Sequence, residues 1–435
     1  MRCLLSLLML LPLCGWAQDS LFTVDLKLLS RGEIRNGGMS KDADNPSTED
    51  KSAFLLDRER LVFGYRRDWL EARTTIQHVG TWGQEGSANV SVYEGWAKMT
   101  ANNGLFAQIG RLALQYDDER IIGSDDWVMT PMTHDALRLG YEGHGHQLHA
   151  ILAYNQNLRA LEEPGSYYQG SRPYKTMHTV WYHYDVPKVP LGVSLLFMNI
   201  GMQAGKPEST EGTASIPVHT EWQLVYGGYL KYAPPHFTAE ASYYRQAGHD
   251  EYTVKLDAWM AAAKVEWKPN DNCSLLAGYD YLSGDDYVAV VPQGGFGMPR
   301  HEVNKGFNPV YGSHHKFYGA MDFFYLSTYV NGFTPGLQNA YIGGMYKPLK
   351  NLTLGAVYHY LATGIDLSGL DKTLGYEVEL EASYSLAKDI KISAGYSYMT
   401  GTETMERLKR ASNQGNLRWA WLSLNVTPRI FSAKW

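Results

Sequence analysis

The chain has 435 residues, 44% hydrophobic and 19% charged, with a formal net charge of -6, a length that suits one large unit or two to three ordinary soluble domains. Its 31 Tyr, 12 Trp and 13 Phe, set beside 43 Gly and 3 Cys, exclude a disordered chain and a disulfide-stapled scaffold and point to strands joined by many turns. No charge-free apolar run long enough for a spanning helix occurs beyond the N-terminus, and the missing basic excess argues against a nucleic-acid partner.

The first apolar run, Leu4–Leu13 behind Arg2, has about half the length of a spanning helix. It ends at Gly15-Trp16-Ala17, with small residues at the two positions a signal peptidase reads. Residues 1–17 are therefore expected to be a removed signal peptide, and 18–435 a single exported unit using the general secretory route. Cleavage removes Cys3, Cys14 and Arg2, which leaves Cys273 without a partner and shifts the formal charge from -6 to -7.

Along the remaining chain the dominant period is two. Phe22, Val24, Leu26 and Leu28 alternate with polar residues, as do Trp222, Leu224, Tyr226 and Leu230, then Leu275, Ala277, Tyr279 and Tyr281, then Leu352, Leu354, Ala356, Tyr358 and Tyr360. In Leu374–Leu386 an apolar face from Leu374 to Leu386 opposes Glu377, Glu379, Glu381, Ser383 and Ser385; after the turn Ala387-Lys388-Asp389 the pattern resumes from Ile390. These segments run to about ten residues, longer than most strands of soluble domains. Short turns at Arg67-Asp68, Pro234-Pro235 and Ala387-Lys388-Asp389 alternate with long polar stretches at Asn36–Ser52, Gly201–Thr220 and Gly284–His314. That asymmetry predicts an all-β fold, an antiparallel transmembrane β-barrel of about eighteen strands. Asn416–Thr427 reads as the last strand, and Pro428 makes Arg429–Trp435 a candidate periplasmic tail.

With the apolar face given to lipid, the opposite face carries Lys27, Arg31, Arg35, Arg58, Arg60, Arg73, Lys98 and Arg138, which requires a water-filled lumen. A guanidinium there offers a fork of donors matched to a carboxylate. The same face carries Asp25, Glu33, Glu71, Glu94, Glu142 and Glu377, so cross-strand pairing that stiffens the barrel is the competing role. Trp96, Tyr229 and Tyr244 are expected inside, either as space-filling rings or as a surface for sugars. His144, His146 and His149 read as residues of a hairpin rather than as a metal site, and Asp42, Asp44 and Asn45 as a solvated loop. No nucleophile elbow, zincin helix or phosphate-binding loop is present, and Ser124 with His134 and Asp135 is the least poor hydrolase set; no enzyme, metal or cofactor is expected.

The stretch Gly110-Arg111-Leu112-Ala113-Leu114-Gln115-Tyr116-Asp117-Asp118-Glu119-Arg120-Ile121-Ile122-Gly123-Ser124-Asp125-Asp126-Trp127, followed by His134-Asp135-Ala136-Leu137-Arg138-Leu139, resembles the alginate-export family of outer-membrane barrels. So do His314-His315-Lys316-Phe317-Tyr318-Gly319-Ala320-Met321-Asp322, Gly336-Leu337-Gln338-Asn339 and Ala356-Val357-Tyr358-His359-Tyr360. The resemblance covers roughly a quarter of the chain. It implies a monomeric eighteen-stranded channel in the outer membrane of a Gram-negative cell, surrounded by lipid. Its lumen would be narrowed by inward arginines and a folded loop and would pass an anionic, uronate-type saccharide, with periplasmic export partners. Arg111 and Arg120 become the candidate constriction residues, with Asp117, Asp118 and Glu119 expected to orient Arg111, Arg120 or Arg138, and Asp135 as a further supporting carboxylate. A general small-solute porin, and a plugged adhesion barrel acting through Asn36–Ser52 and Gly284–His314, are the competing functions.

Overall fold

The computed structural model describes residues 20–36, 51–84, 89–156, 174–206, 216–250, 253–285, 303–324, 334–409 and 417–435. The expected signal peptide and the Asp42-to-Asn45 loop lie outside them. Eighteen strands form the wall, from Leu21–Asn36 to Leu417–Val426, each antiparallel to its neighbour. The first strand closes on the last with Glu33 opposite Trp421 and Arg31 opposite Ser423. Wall strands span 8 to 17 residues, and their side chains divide as the two-residue period requires. In the last strand Leu422 and Leu424 face outward at 58% and 38% exposure, whereas Trp419 and Ser423 are buried inside.

Short turns mark one end of the barrel. At one of them, between the strands His134–Gly143 and His146–Tyr154, His144 and Gly145 have φ of 54° and 79°; two left-handed residues in a row are what a two-residue hairpin turn requires. The long connections leave from the other end, which in an outer-membrane barrel faces outward from the cell.

Three expectations need correction. Leu374 is fully buried rather than on the apolar outer face, because the pairing with the preceding strand shifts register between Leu361 and Ala362. Arg429–Lys434 is no tail: it resumes pairing after Pro428, opposite Leu21–Asp25, so the proline interrupts the last strand without ending the wall. And much of the long connection between Cys273–Leu282 and Leu337–Leu349 turns inward instead of standing outside: its buried Phe307, Tyr311, Tyr318, Met321, Phe323 and Phe324 join the interior core.

That core exists because two segments, 113–133 and 305–324, enter the lumen together. They share a parallel bridge between Ile122 and Tyr311, closed by Gly123 N–H to the Tyr311 carbonyl at 2.8 Å and Tyr311 N–H to the Ile121 carbonyl at 3.1 Å. Leu114, Ile121 and Ile122 bury their side chains between the segments and the wall. A two-turn helix, Glu403–Lys409, adds Met405 and Leu408 to the same core, and Lys409 lies 5.5 Å from the ring of Phe323.

Candidate lumen constriction

Within the lumen, wall arginines meet the inserted segments directly. Arg31 donates Nε to Glu33 at 2.9 Å and Nη1 to the Trp127 carbonyl at 2.9 Å, and its guanidinium sits 4.1 Å from the Trp127 ring. Arg58 donates Nη1 to the Asp126 and Val128 carbonyls at 3.0 and 2.8 Å. Arg60 reaches the Asp126 carboxylate at 2.7 Å and Gln77 at 2.7 Å, beneath the Tyr93 ring. Strand alternation aims all three into the lumen at successive levels of the first two strands, beside a turn whose carbonyls, without a strand partner of their own, need donors. The first two strands therefore hold the tip of segment 113–133 by its backbone.

Arg120 anchors the same segment across the lumen. It is 3% exposed, donating Nε to Asp118 at 2.9 Å, Nη2 to Asp280 at 2.7 Å and Nη1 to the Tyr318 hydroxyl at 3.3 Å, with Phe317 against its face at 3.9 Å. Burial alone would lower the pKa of this guanidinium, but Asp280, the Tyr318 oxygen and Asp118 hold it well above the ordinary value. Burial likewise pushes the Asp117 and Asp118 carboxyls up, although Arg120 pulls Asp118 the other way. From Asp280 a chain of hydrogen bonds runs along the wall through Asn339 at 2.9 Å and His359 at 2.8 Å, and His359 meets Glu379 at 3.2 Å. Glu379 and Glu377 accept the backbone N–H groups of Ala320 and Met321. Wall carboxylates thus hold segment 305–324 as wall arginines hold 113–133.

Of the expected acidic cluster, only Asp118 serves an arginine, and that arginine is Arg120. Asp117 accepts from the Trp181 indole at 3.1 Å, and Glu119 binds Ser313 at 2.7 Å and Lys316. Arg138 faces the lumen over Phe106 and donates to the Tyr116 hydroxyl at 3.4 Å. Arg73 and Lys98 also face inward, within 3.5 Å of Glu94 and 3.8 Å of Glu142.

Arg111 and Asp135 do not face the lumen. Arg111 shares its strand face with Leu105 and Ile109, which are 52% and 60% exposed on the outer wall, and lies opposite Asp135, which shares a face with Leu137 and Leu139. The two form a bidentate pair at 2.8 and 2.9 Å, and Arg111 Nη1 caps the Val92 carbonyl at 3.2 Å. The family motif therefore splits at the strand end: Arg111 stays on the lipid side, while everything after Leu112 turns in. The same parity parts His134 from Asp135, so the hydrolase set is not assembled; His134 Nδ1 bonds the Tyr174 hydroxyl at 2.7 Å and Ser124 bonds Gln115.

Inner-wall groups that sequence reasoning passed over include Asp280, Asn339 and His359. Their signal was available: each alternates with lipid-facing residues in its strand, but a single polar residue on an inner face has no distinguishing pattern. Tyr229 and Tyr244 are buried inside, and Trp96 donates to Glu94 at 3.2 Å. On the inner face Lys27, the register partner of Arg60, and Lys391 are exposed, with no ion pair among the described residues.

A sequence profile of the family described as alginate export matches residues 87–366. No curated protein sequence matches. Among solved structures, OccK2 (OpdF) of Pseudomonas aeruginosa superposes with a TM-score of 0.60 at 12% identity, covering 94% of this chain and 98% of that one; it has also been solved in complex with glucuronate. OccAB1 of Acinetobacter baumannii gives 0.60 at 11% identity, covering 94% and 97%. At such identity the likeness is one of fold.

Proposed function

Since the chain belongs to the alginate-export family and forms an outer-membrane barrel channel of a Gram-negative cell, we propose that it passes an anionic solute, of the acidic, uronate-type saccharide class, by diffusion, and that it catalyses no reaction. One observation carries the reading. Among the described residues, Arg31, Arg35, Arg58 and Arg60 of the first two strands form ion pairs only with Glu33 and with Asp126 of the inserted segment, so two guanidiniums stand for each of these carboxylates. Lys27, level with Arg60, and Lys391 add positive charge to the same inner face. In a confined lumen such an excess attracts anions with less screening than in bulk salt, and each guanidinium presents donors at carboxylate spacing. The glucuronate complex of the OccK2 barrel lends support from a protein of the same fold. The barrel acts as a monomer, its outer wall covered by lipid, with export partners on the periplasmic side.

The test is the reversal potential of the refolded mature protein in a planar bilayer under a salt gradient, repeated with oligouronates. Anion preference with uronate block is expected, and Arg58→Glu combined with Arg60→Glu should reduce or invert the preference. Cation preference, or indifference to uronates, would remove the solute reading and leave a general porin. Absence of conductance would make the inserted segments a plug and favour the adhesion barrel.

A further inference from the structure

Against the tips of the inserted segments the lumen holds a cavity of about 520 Å³, lined by Arg31, Arg58 and Trp127 of the constriction and by Trp421, Glu381, Lys391, Ser423 and Asn425. Trp421 is packed unlike its neighbours. Trp419 is 2% exposed and donates its indole N–H to Glu33 at 3.0 Å. Trp127 is covered on its faces by the His315 ring at 4.2 Å and the Arg31 guanidinium at 4.1 Å. Trp421 touches Trp127 edge-on at 4.9 Å, is half-buried, and lies against Gly395, its register partner, where any Cβ would overlap the indole. The missing side chain at Gly395 gives the ring room to fold onto the wall, with the rest of its surface left to the cavity.

The polar groups around the ring are available too. Lys391 has no ion pair among the described residues, and Glu381 accepts only from the Ser383 hydroxyl, at 3.1 Å. Lys391 is paired in register with Asn425, four residues and so roughly 13 Å along the wall from Trp421. An aromatic surface, an ammonium, a carboxylate, an amide and a hydroxyl around one wet cavity match a pyranose chain: its apolar ring face stacks on indole, its hydroxyls take the carboxylate and amide, and a sugar carboxylate takes the ammonium.

We propose that Trp421 is a stacking platform for an acidic saccharide at the constriction, with Lys391 binding a carboxylate of the same chain. This deepens the solute reading above and rests on it for the sugar's charge. To test it, the refolded mature chain in a planar bilayer is titrated with oligouronate and, separately, with a neutral gluco-oligosaccharide, added to each side in turn. Both should block the wild type. Trp421→Ala should raise both half-blocking concentrations about tenfold with the reversal potential unchanged. Trp421→Tyr should restore block, Gly395→Leu should imitate Trp421→Ala by displacing the indole, and Lys391→Gln should weaken block by the uronate alone. A heat-dependent shift in gel mobility shows that each variant is folded. Unchanged block by both sugars in folded Trp421→Ala overturns the platform, as does failure of both to block the wild type. Block by the neutral sugar alone, lost in Trp421→Ala, overturns the acidic-saccharide reading and retains the platform.

Discussion

Arg120 and Arg111 are nine positions apart in one motif and have opposite fates. Replacing Arg120 by Met would leave Asp280, which is 1% exposed, and Asp118 without their cation, a change that costs about 3–5 kcal/mol when a buried pair is broken. The cost falls on docking of segment 113–133, so limited proteolysis within that segment and noisier single-channel current are the expected results; wild-type protection would show that Arg120 does not anchor it. Arg111→Leu makes the contrasting case. Its charge is spent on Asp135 and a backbone carbonyl on the outer wall, so the reversal potential should stay at its wild-type value, whereas the Arg58 and Arg60 replacements move it. The side of the wall was legible for Arg31, Arg58, Arg60, Arg73, Lys98 and Arg138, because alternation with apolar neighbours states it directly. For Arg111 the same rule, applied to Leu105 and Ile109 three steps and one step back on its face, places it outside; family motif and strand parity disagreed, and parity describes the molecule.

At the scale of elements, alternation made the wall strands readable, because each residue's environment is set by its own strand. The inserted segments obey no such period. Segment 305–324 has one 3-10 turn, His314–Lys316, and left-handed residues at Val310, Tyr318 and Asp322, so its inward path is set by long-range partners such as Glu377 and Glu379 that local sequence does not announce. Its docking also depends on pH. Burial lowers the pKa of His314 to about 3 from an ordinary value near 6.5, so the docked state binds fewer protons than the released one. The docking contribution is therefore complete above about pH 6.5 and declines as pH falls toward 3, losing about 2 kcal/mol by pH 5. Single-channel recordings between pH 7.5 and 5 should show more frequent opening on the acid side, and His314→Phe should flatten that dependence; an unchanged profile in the variant would assign the effect to another group.

The whole molecule is a closed wall with charged groups on its inner face and an apolar exterior, and this arrangement distinguishes a membrane barrel from a soluble β protein of the same strand count. In water, an exposed position on the wall accepts arginine at nearly the same small cost wherever it lies. In a bilayer the cost depends on depth, about 2–4 kcal/mol at the midplane and about 0–1 kcal/mol at the interfaces. Ile342 and Ile34 are matched probes, both outward-facing and 63% and 62% exposed. Ile342 lies near the middle of Leu337–Leu349, and Ile34 two residues from the outer end of Leu21–Asn36. Equilibrium refolding into lipid vesicles against denaturant should therefore show Ile342→Arg losing several times more stability than Ile34→Arg. Equal losses would mean that the two positions do not sit at different depths in hydrocarbon. The measurement is independent of any solute, because it reads only where the apolar band lies. With the band located, the height of Arg31, Arg58 and Arg60 on the inner face of the same strands follows from register, and the field of those arginines acts within the lumen's low-dielectric surround, where two guanidiniums per carboxylate bias the permeant ion more strongly than the same ratio would at either mouth.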